Sequence, residues 1–188
     1  MPSTLITGAN RGLGFEFARQ YSADGWQVYA ACRNPQSASE LRRLADASDD
    51  KLQILALDVI DPVSVQAAAA KLDRQAIDLL LNNAGIGGPR GQSVGNIDYE
   101  AWAKVLDVNT MGPLRVSEAF VDHVAQSERK LIVIITSGMG SLCRQYFRRH
   151  VCLSQLKGRS EHGHAQSGDR SRTTRHRLRG HQSRLGID

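Results

Sequence analysis

Aromatic side chains are scarce, at 5% of the chain, so any core has to be aliphatic, assembled from Leu, Ile, Val and Ala. Cysteines are also few: Cys32, Cys143 and Cys152 form an odd set without metal-ligand spacing. They fit a reduced, cytoplasmic protein better than a disulfide scaffold, and no metal site is expected. No stretch approaches the roughly 18 consecutive apolar residues that a membrane span requires. Met1-Pro2-Ser3-Thr4 leads straight into an apolar strand with no basic region before it, which argues against a secretory signal. Apolar residues nonetheless reach 41% of 188, enough for one domain and too short a chain for two independent cores.

Charge is divided unevenly along the chain. Residues 1–142 hold 13 Lys and Arg against 16 Asp and Glu, whereas residues 143–188 hold 11 against 3 and five of the six histidines. The net charge of +5 therefore averages two unlike pieces, a break that precedes any assignment of fold to the tail.

The first piece alternates strands and helices. Thr4–Thr7, Gln27–Cys32, Leu52–Leu57, Ile77–Leu81 and Leu131–Ile135 are short apolar runs. Between them, apolar residues recur at helical spacing (Leu13, Phe17, Ala18, Tyr21), from Ser37 to about Ala47, and near Tyr99–Leu106 and Gly112–Ala125. Asp61-Pro62 supplies an N-cap and a first-turn proline for a further helix reaching about Gln75. Strands lacking polar alternation are buried on both faces, which predicts an α/β fold with a doubly wound parallel sheet, Rossmann-like and incomplete after the fifth strand. His123 reads as a surface residue of the last helix, and Trp26 and Trp102 read as packing residues.

Gly8-Ala9-Asn10-Arg11-Gly12-Leu13-Gly14 lies between the first strand and the first helix. Glycines there permit a sharp turn and bring a pyrophosphate against the free N–H groups and positive dipole end of the helix. A glycine triplet alone also fits a plain turn; the strand–turn–helix setting points to dinucleotide binding.

The spacing Gly-x3-Gly-x-Gly after Thr7 resembles the short-chain dehydrogenase/reductase family, and further matches follow in family order. They are Asp58 and Val59 after the third strand, Asn82-Asn83-Ala84-Gly85 after the fourth, Asn109 in Val-Asn-Thr-Met-Gly, and Ser137 after the fifth. Ile-Thr-Gly-Ala-Asn-Arg-Gly-Leu-Gly and Ala-Cys-Arg-Asn-Pro look most like the C-factor and sniffer-type carbonyl reductase branch. The resemblance implies hydride transfer between a nicotinamide and a small-molecule carbonyl or alcohol. It implies cofactor contacts at Gly8, Asn10, Arg11, Gly12, Leu13, Gly14, Asp58, Val59, Asn83, Ala84 and Gly85. It also implies that Asp58 sits by the adenine, that Asn83 lines the cofactor channel, that Ser137 hydrogen-bonds the developing oxyanion, and that Asn109 holds a water in the proton relay. Alternative readings stand beside these: Asp58 as a helix N-cap, Asn83 as a loop tie, Ser137 as a turn serine. Family members usually pair through helices, so a homo-oligomer is implied for an intact member and is doubtful here.

Cofactor choice follows from the end of the second strand. An NAD site places a carboxylate there for the ribose 2′-OH. Here the segment reads Ala31-Cys32-Arg33-Asn34, and Arg11 lies in the glycine loop. Two guanidiniums near a 2′-phosphate favour NADP(H), unless Arg33 is only a solvated loop charge.

One element of the family pattern is missing. A free tyrosine, with a pKa of about 10, is a poor acid near neutrality, and in this family a lysine four residues on lowers it. No Tyr-x3-Lys occurs in residues 138–188; Tyr146 is followed at the fourth position by His150. Apolar periodicity also ends at Cys143. The tail could be a basic arm for nucleic acid or a neutral disordered segment, but out-of-register translation from Leu142–Cys143 explains more. Back-translated with suitable codons and read one base later, Gln155–His164 yields Ser-Ser-Lys-Ala-Ala-Leu-Asn-Met-Val-Met. Val151–Ser154 yields Tyr-Ala-Tyr-Arg, whose second tyrosine falls four codons before that lysine, and Gln182–Ile187 yields Asn-Pro-Gly-Trp-Val. Three family segments emerge in order from one shift. The expectation is a 1–142 NADP-binding unit of reductase ancestry followed by a basic, disordered 143–188 tail, inactive without its tyrosine and lysine, and with no specific nucleic-acid partner. The alternatives are a non-catalytic nucleotide-binding module and a basic-tailed nucleic-acid binder.

Overall fold

The computed structural model describes residues 1–73 and 75–136. Ser137 and the 143–188 tail lie outside the described residues. Five parallel strands, β1 (Ser3–Thr7), β2 (Gln27–Cys32), β3 (Leu52–Ala56), β4 (Leu79–Asn82) and β5 (Leu131–Ile134), form one sheet in the order β3-β2-β1-β4-β5. Leu5 pairs with Tyr29 on one side and with Leu80 on the other. Helices α1 (Gly12–Ala23), α2 (Ser39–Asp46), α3 (Pro62–Lys71), α4 (Tyr99–Leu106) and α5 (Gly112–Ala125) provide the crossovers.

Strand alternation distributes the aliphatic residues to two cores. Leu5, Tyr29, Ala31, Leu55 and Leu80 point toward α3 and α5, where Val65, Val116 and Phe120 meet them. Ile6, Val28, Ala30, Leu79 and Leu81 face the opposite layer, with Ala18 and Leu41. Both faces of the middle strands are thereby covered, so β1 and β4 bury every residue. Each fully buried Leu or Ile contributes about 1.5–3 kcal/mol relative to exposure. The doubly wound parallel sheet is the arrangement expected from the apolar runs.

Boundaries differ from expectation where turn geometry intervenes. The segment after β2 is a 3₁₀ turn, Pro35–Ser37, followed by α2 from Ser39, rather than a helix starting at Ser37. Helix α3 stops at Lys71, short of Gln75, because the chain turns at Asp73 with φ of 47°. Strand β4 begins at Leu79 because Ile77 N–H bonds the His123 carbonyl instead of a strand neighbour. Helices α4 and α5 have the expected limits but are joined by a π-helical turn, Asp107–Met111, that periodicity did not reveal.

His123 is buried, not on the surface. It shares an inward stripe with Val116, Phe120 and Val124, at i, i+4, i+7 and i+8, and its ring lies 5.2 Å from that of Phe120. Among the described residues neither ring nitrogen has a hydrogen-bond partner. Trp26 packs as expected, with its ring 4.8 Å from Tyr21 and the Arg129 guanidinium 4.8 Å above it.

Candidate functional site

The sheet order reverses between β1 and β4, and in doubly wound sheets the crevice beyond the strands' C-terminal ends at that point receives ligands. Two loops meet there. Gly8 turns with φ of 69°, and a Cβ on it would stand 2.9 Å from the Ala84 Cα. A Cβ at Gly14 would overlap the Gly8 carbonyl oxygen and come within 2.5 Å of Asn83 Nδ2. Gly12, with φ of 58°, has open space beside it. Arg11 is the N-cap of α1 and offers no side-chain acceptor to the first-turn amides. A positively polarised helix end with room in front of it suits an anion.

Hydrogen bonds lock this cradle. Asn83 N–H and Ala84 N–H both donate to Thr7 Oγ1 at 3.0 Å, and Asn83 Nδ2 donates to the Thr7 carbonyl at 3.0 Å and the Gly8 carbonyl at 3.4 Å. Ala9 N–H donates to the Ala31 carbonyl at 3.0 Å, binding the glycine loop to the end of β2. Arg11 and Arg33 each lie two residues beyond that bond. Both are exposed, and among the described residues neither enters an ion pair. Asn10 on the same loop and Leu13 in the first turn of α1 are also exposed. Cys32, beside Arg33, is a buried free thiol whose pKa is pushed up by that burial, against a smaller lowering by the Asn34 backbone.

Further along the crevice, Asp58 N–H donates to Ser64 Oγ, and Asp58 Oδ1 accepts from Ile60 N–H at 3.2 Å. The N-cap of α3 is Asp61, through Val63 N–H, so Asp58 is free of that duty. Val59 is buried against Gly112. Asn109, buried in the π-helical turn, grips Ile86 at both polar atoms: Ile86 N–H donates to Oδ1 and Nδ2 donates to the Ile86 carbonyl, each at 2.9 Å. A Cβ on Gly85 would stand 3.2 Å from Asn109 Oδ1. The backbone thus gathers the glycine loop, Asp58–Val59, Asn83–Gly85 and Asn109 along one end of the sheet; Ser137 lies outside the described residues.

Thr7 and Asn82 stand in the motifs quoted above without a role of their own, and Arg115 stands in none of them. A polar residue ending an apolar strand could have marked Thr7. Asn82 Nδ2 donates to Ser117 Oγ at 3.2 Å, while buried Asn82 Oδ1 and Thr110 Oγ1 have no partner among the described residues. Nothing in the local pattern distinguishes Arg115.

Two open depressions lie elsewhere. One of about 430 Å³ is lined by Ser39, Arg42, Arg43 and Ile54, and one of about 460 Å³ sits by Ser3, Gln27, Gln75 and Asp78 at the opposite strand ends. Neither adjoins the glycine loop, so volume is a poorer guide here than strand-end geometry. Among the described residues no group of His, Cys, Asp and Glu could hold a metal, and no helix is long and apolar enough to cross a membrane.

Residues 3–147 match the family model for short chain dehydrogenase. The chain is 32% identical over 160 residues to (+)-neomenthol dehydrogenase of Arabidopsis thaliana, covering 73% of this chain and 54% of that protein. It spans about half the length of the curated relatives it matches. Among solved structures it is similar to a carbonyl reductase from Pseudomonas aeruginosa, with TM-score 0.78 and 31% identity, covering 87% of this chain and 76% of that one. NADPH-bound carbonyl reductase from chicken fatty liver aligns with TM-score 0.74 and 34% identity, over 84% and 69%.

Proposed function

The chain belongs to the short-chain dehydrogenase family, and from that premise we propose that it descends from an NADP(H)-dependent carbonyl or alcohol oxidoreductase, retains the coenzyme cradle, and lacks turnover as written. The observation that carries the coenzyme reading is the cradle itself. Gly8 and Gly14 have no room for a side chain, Gly12 leaves open space, and the first amides of α1 lack a cap. In this reading the pyrophosphate rests on Gly8, Asn10, Gly12, Leu13 and Gly14. Arg11 and Arg33 take the 2′-phosphate, Asp58 and Val59 flank the adenine, and Asn83, Ala84 and Gly85 line the channel toward the nicotinamide. The NADPH-bound chicken reductase supports the choice of NADP(H). When bound, the coenzyme would supply the hydride. Ser137 would hydrogen-bond the carbonyl oxygen as negative charge develops there, and Asn109 would hold a relay water.

Turnover needs a proton donor at that oxygen, and the sequence has no Tyr-x3-Lys after Ser137. Losing a general acid costs about 10²–10⁴ in rate. We attribute the loss to out-of-register translation from Leu142–Cys143, which makes 1–142 the functional unit and 143–188 a basic tail. The loss of apolar periodicity from Cys143 onward supports this reading. Substrates would be small carbonyl or alcohol compounds.

Titration with NADPH, followed by its fluorescence, tests the cradle, and an NADPH-oxidation assay with a generic carbonyl tests turnover. Binding without oxidation is expected. Oxidation at an ordinary rate would overturn the inactive reading, and failure of a folded sample to bind either NADPH or NADH would overturn the coenzyme reading. The nucleotide sequence around codons 140–145 tests the frame: native codons that forbid the shifted matches would refute it.

A further inference from the structure

Arg115, in the first turns of α5, makes two contacts that reach in opposite directions. Its Nη1 donates to the Val59 carbonyl at 3.0 Å, and its Nη2 donates to Asp107 Oδ1 at 2.5 Å. The first contact holds the loop after β3, next to Asp58. The second holds the residue that opens the π-helical turn, two positions before Asn109. Both side chains are mostly shielded, 25% and 31% exposed, so the pair is less screened than an ordinary surface bridge. Beneath it Gly112 lies so close to Val59 that a Cβ there would stand 2.9 Å from the valine Cγ2. Loop and turn are therefore packed together and share one cation.

A π-helical turn needs such support, because its wider ring makes poorer backbone geometry than an α-turn and is found mostly as single turns at functional sites. Asn109 sits inside this turn and determines the placement of Ile86 through both of its amide atoms. We propose that Arg115 is a positioning residue that couples the adenine-side loop at Asp58–Val59 to the Asn109–Ile86 clamp, so that filling the adenine end steadies the end where hydride transfer would occur. The proposal rests on the coenzyme reading above. A fixed planar fork is required; a lysine ammonium is a single point charge and cannot hold both acceptors in one geometry.

The test uses the full chain, adenosine 2′,5′-bisphosphate as a fragment that fills only the adenine end, and amide hydrogen exchange read residue by residue. In the unmodified chain the fragment should slow exchange at Ile86 by about tenfold. In Arg115→Met that protection should vanish while the fragment still binds and exchange at Leu5 and Ile6 is unchanged; Arg115→Lys should restore only part of it. Equal protection in Arg115→Met, or equal loss at Leu5 and Ile6, would overturn the proposal. So would fragment binding to the unmodified chain with no response at Ile86. Should Arg115→Met not fold, Asp107→Ala, which keeps the Val59 contact and removes the acceptor for Nη2, has to show the same loss at Ile86 or the proposal falls. Failure of the unmodified chain to bind the fragment would instead refute the coenzyme reading, and this proposal with it.

Discussion

Strands β1 and β5 are both short and aliphatic, yet β1 buries all five of its residues while Leu131 and Val133 of β5 remain 48% and 37% exposed. The difference is one of neighbours. Strand β1 is paired on both edges and covered on both faces, and its end is tied to β4 through Thr7 and Asn83. Among the described residues β5 has a sheet partner only in β4. Leu114 and Val121 on α5 are likewise 61% and 49% exposed. Equal hydrophobicity therefore carries unequal stabilisation, because only area removed from water counts. The described part is well built around the glycine loop and thinly covered at the edge formed by β5.

The sharpest way to break the contrast is Gly14→Val. The side chain would collide with backbone at the best-packed point, so a loss of about 3 kcal/mol or more and the disappearance of NADPH binding are expected, read by denaturant unfolding and by coenzyme titration. Next comes a matched pair. Leu5→Ala should cost about 2–5 kcal/mol, whereas Leu131→Ala should cost under about 1 kcal/mol by the same measurement. Similar losses would mean that β5 is as well packed as β1. Thr7→Val removes the acceptor shared by two amides of the Asn83–Ala84 turn and should cost about 1–3 kcal/mol, with faster amide exchange at both residues. The smallest effect is expected from Arg33→Ala, which should leave stability unchanged. It should narrow the preference for NADPH over NADH by about tenfold, seen by titrating both coenzymes.

Much of this was legible in advance, for physical reasons that differ from place to place. The five strands announced themselves because strands buried on both faces omit polar alternation, as Thr4–Thr7 and Gln27–Cys32 do. The glycine loop was readable because the needs at Gly8 and Gly14 are backbone needs that only glycine meets. His123 departs from the expected surface position because its place in the Val116–Phe120–Val124 stripe outweighs the polarity of its ring. The π-helical turn and the Arg115 bridge were invisible: the first changes the number of residues in one turn without changing composition, and the second joins residues 56 positions apart. Asp58 and Asn109 could be placed only by the order of motifs along the chain, since a lone acid or amide has many ordinary uses.

Five residues, Asp107–Met111, occupy the space in which a regular helix would run on from α4 into α5. Successive α-helical residues are rotated by about 100°. A π-turn takes more residues per revolution than an α-turn, so removing one residue from this stretch should let α4 run on into α5 as ordinary α-helix, with Phe120 still facing the sheet and the widened turn around Asn109 lost. Such a deletion should spare the packing of α5 while releasing Ile86 from Asn109, whereas a deletion inside α5 ahead of Phe120 would rotate that ring by about 100° toward water.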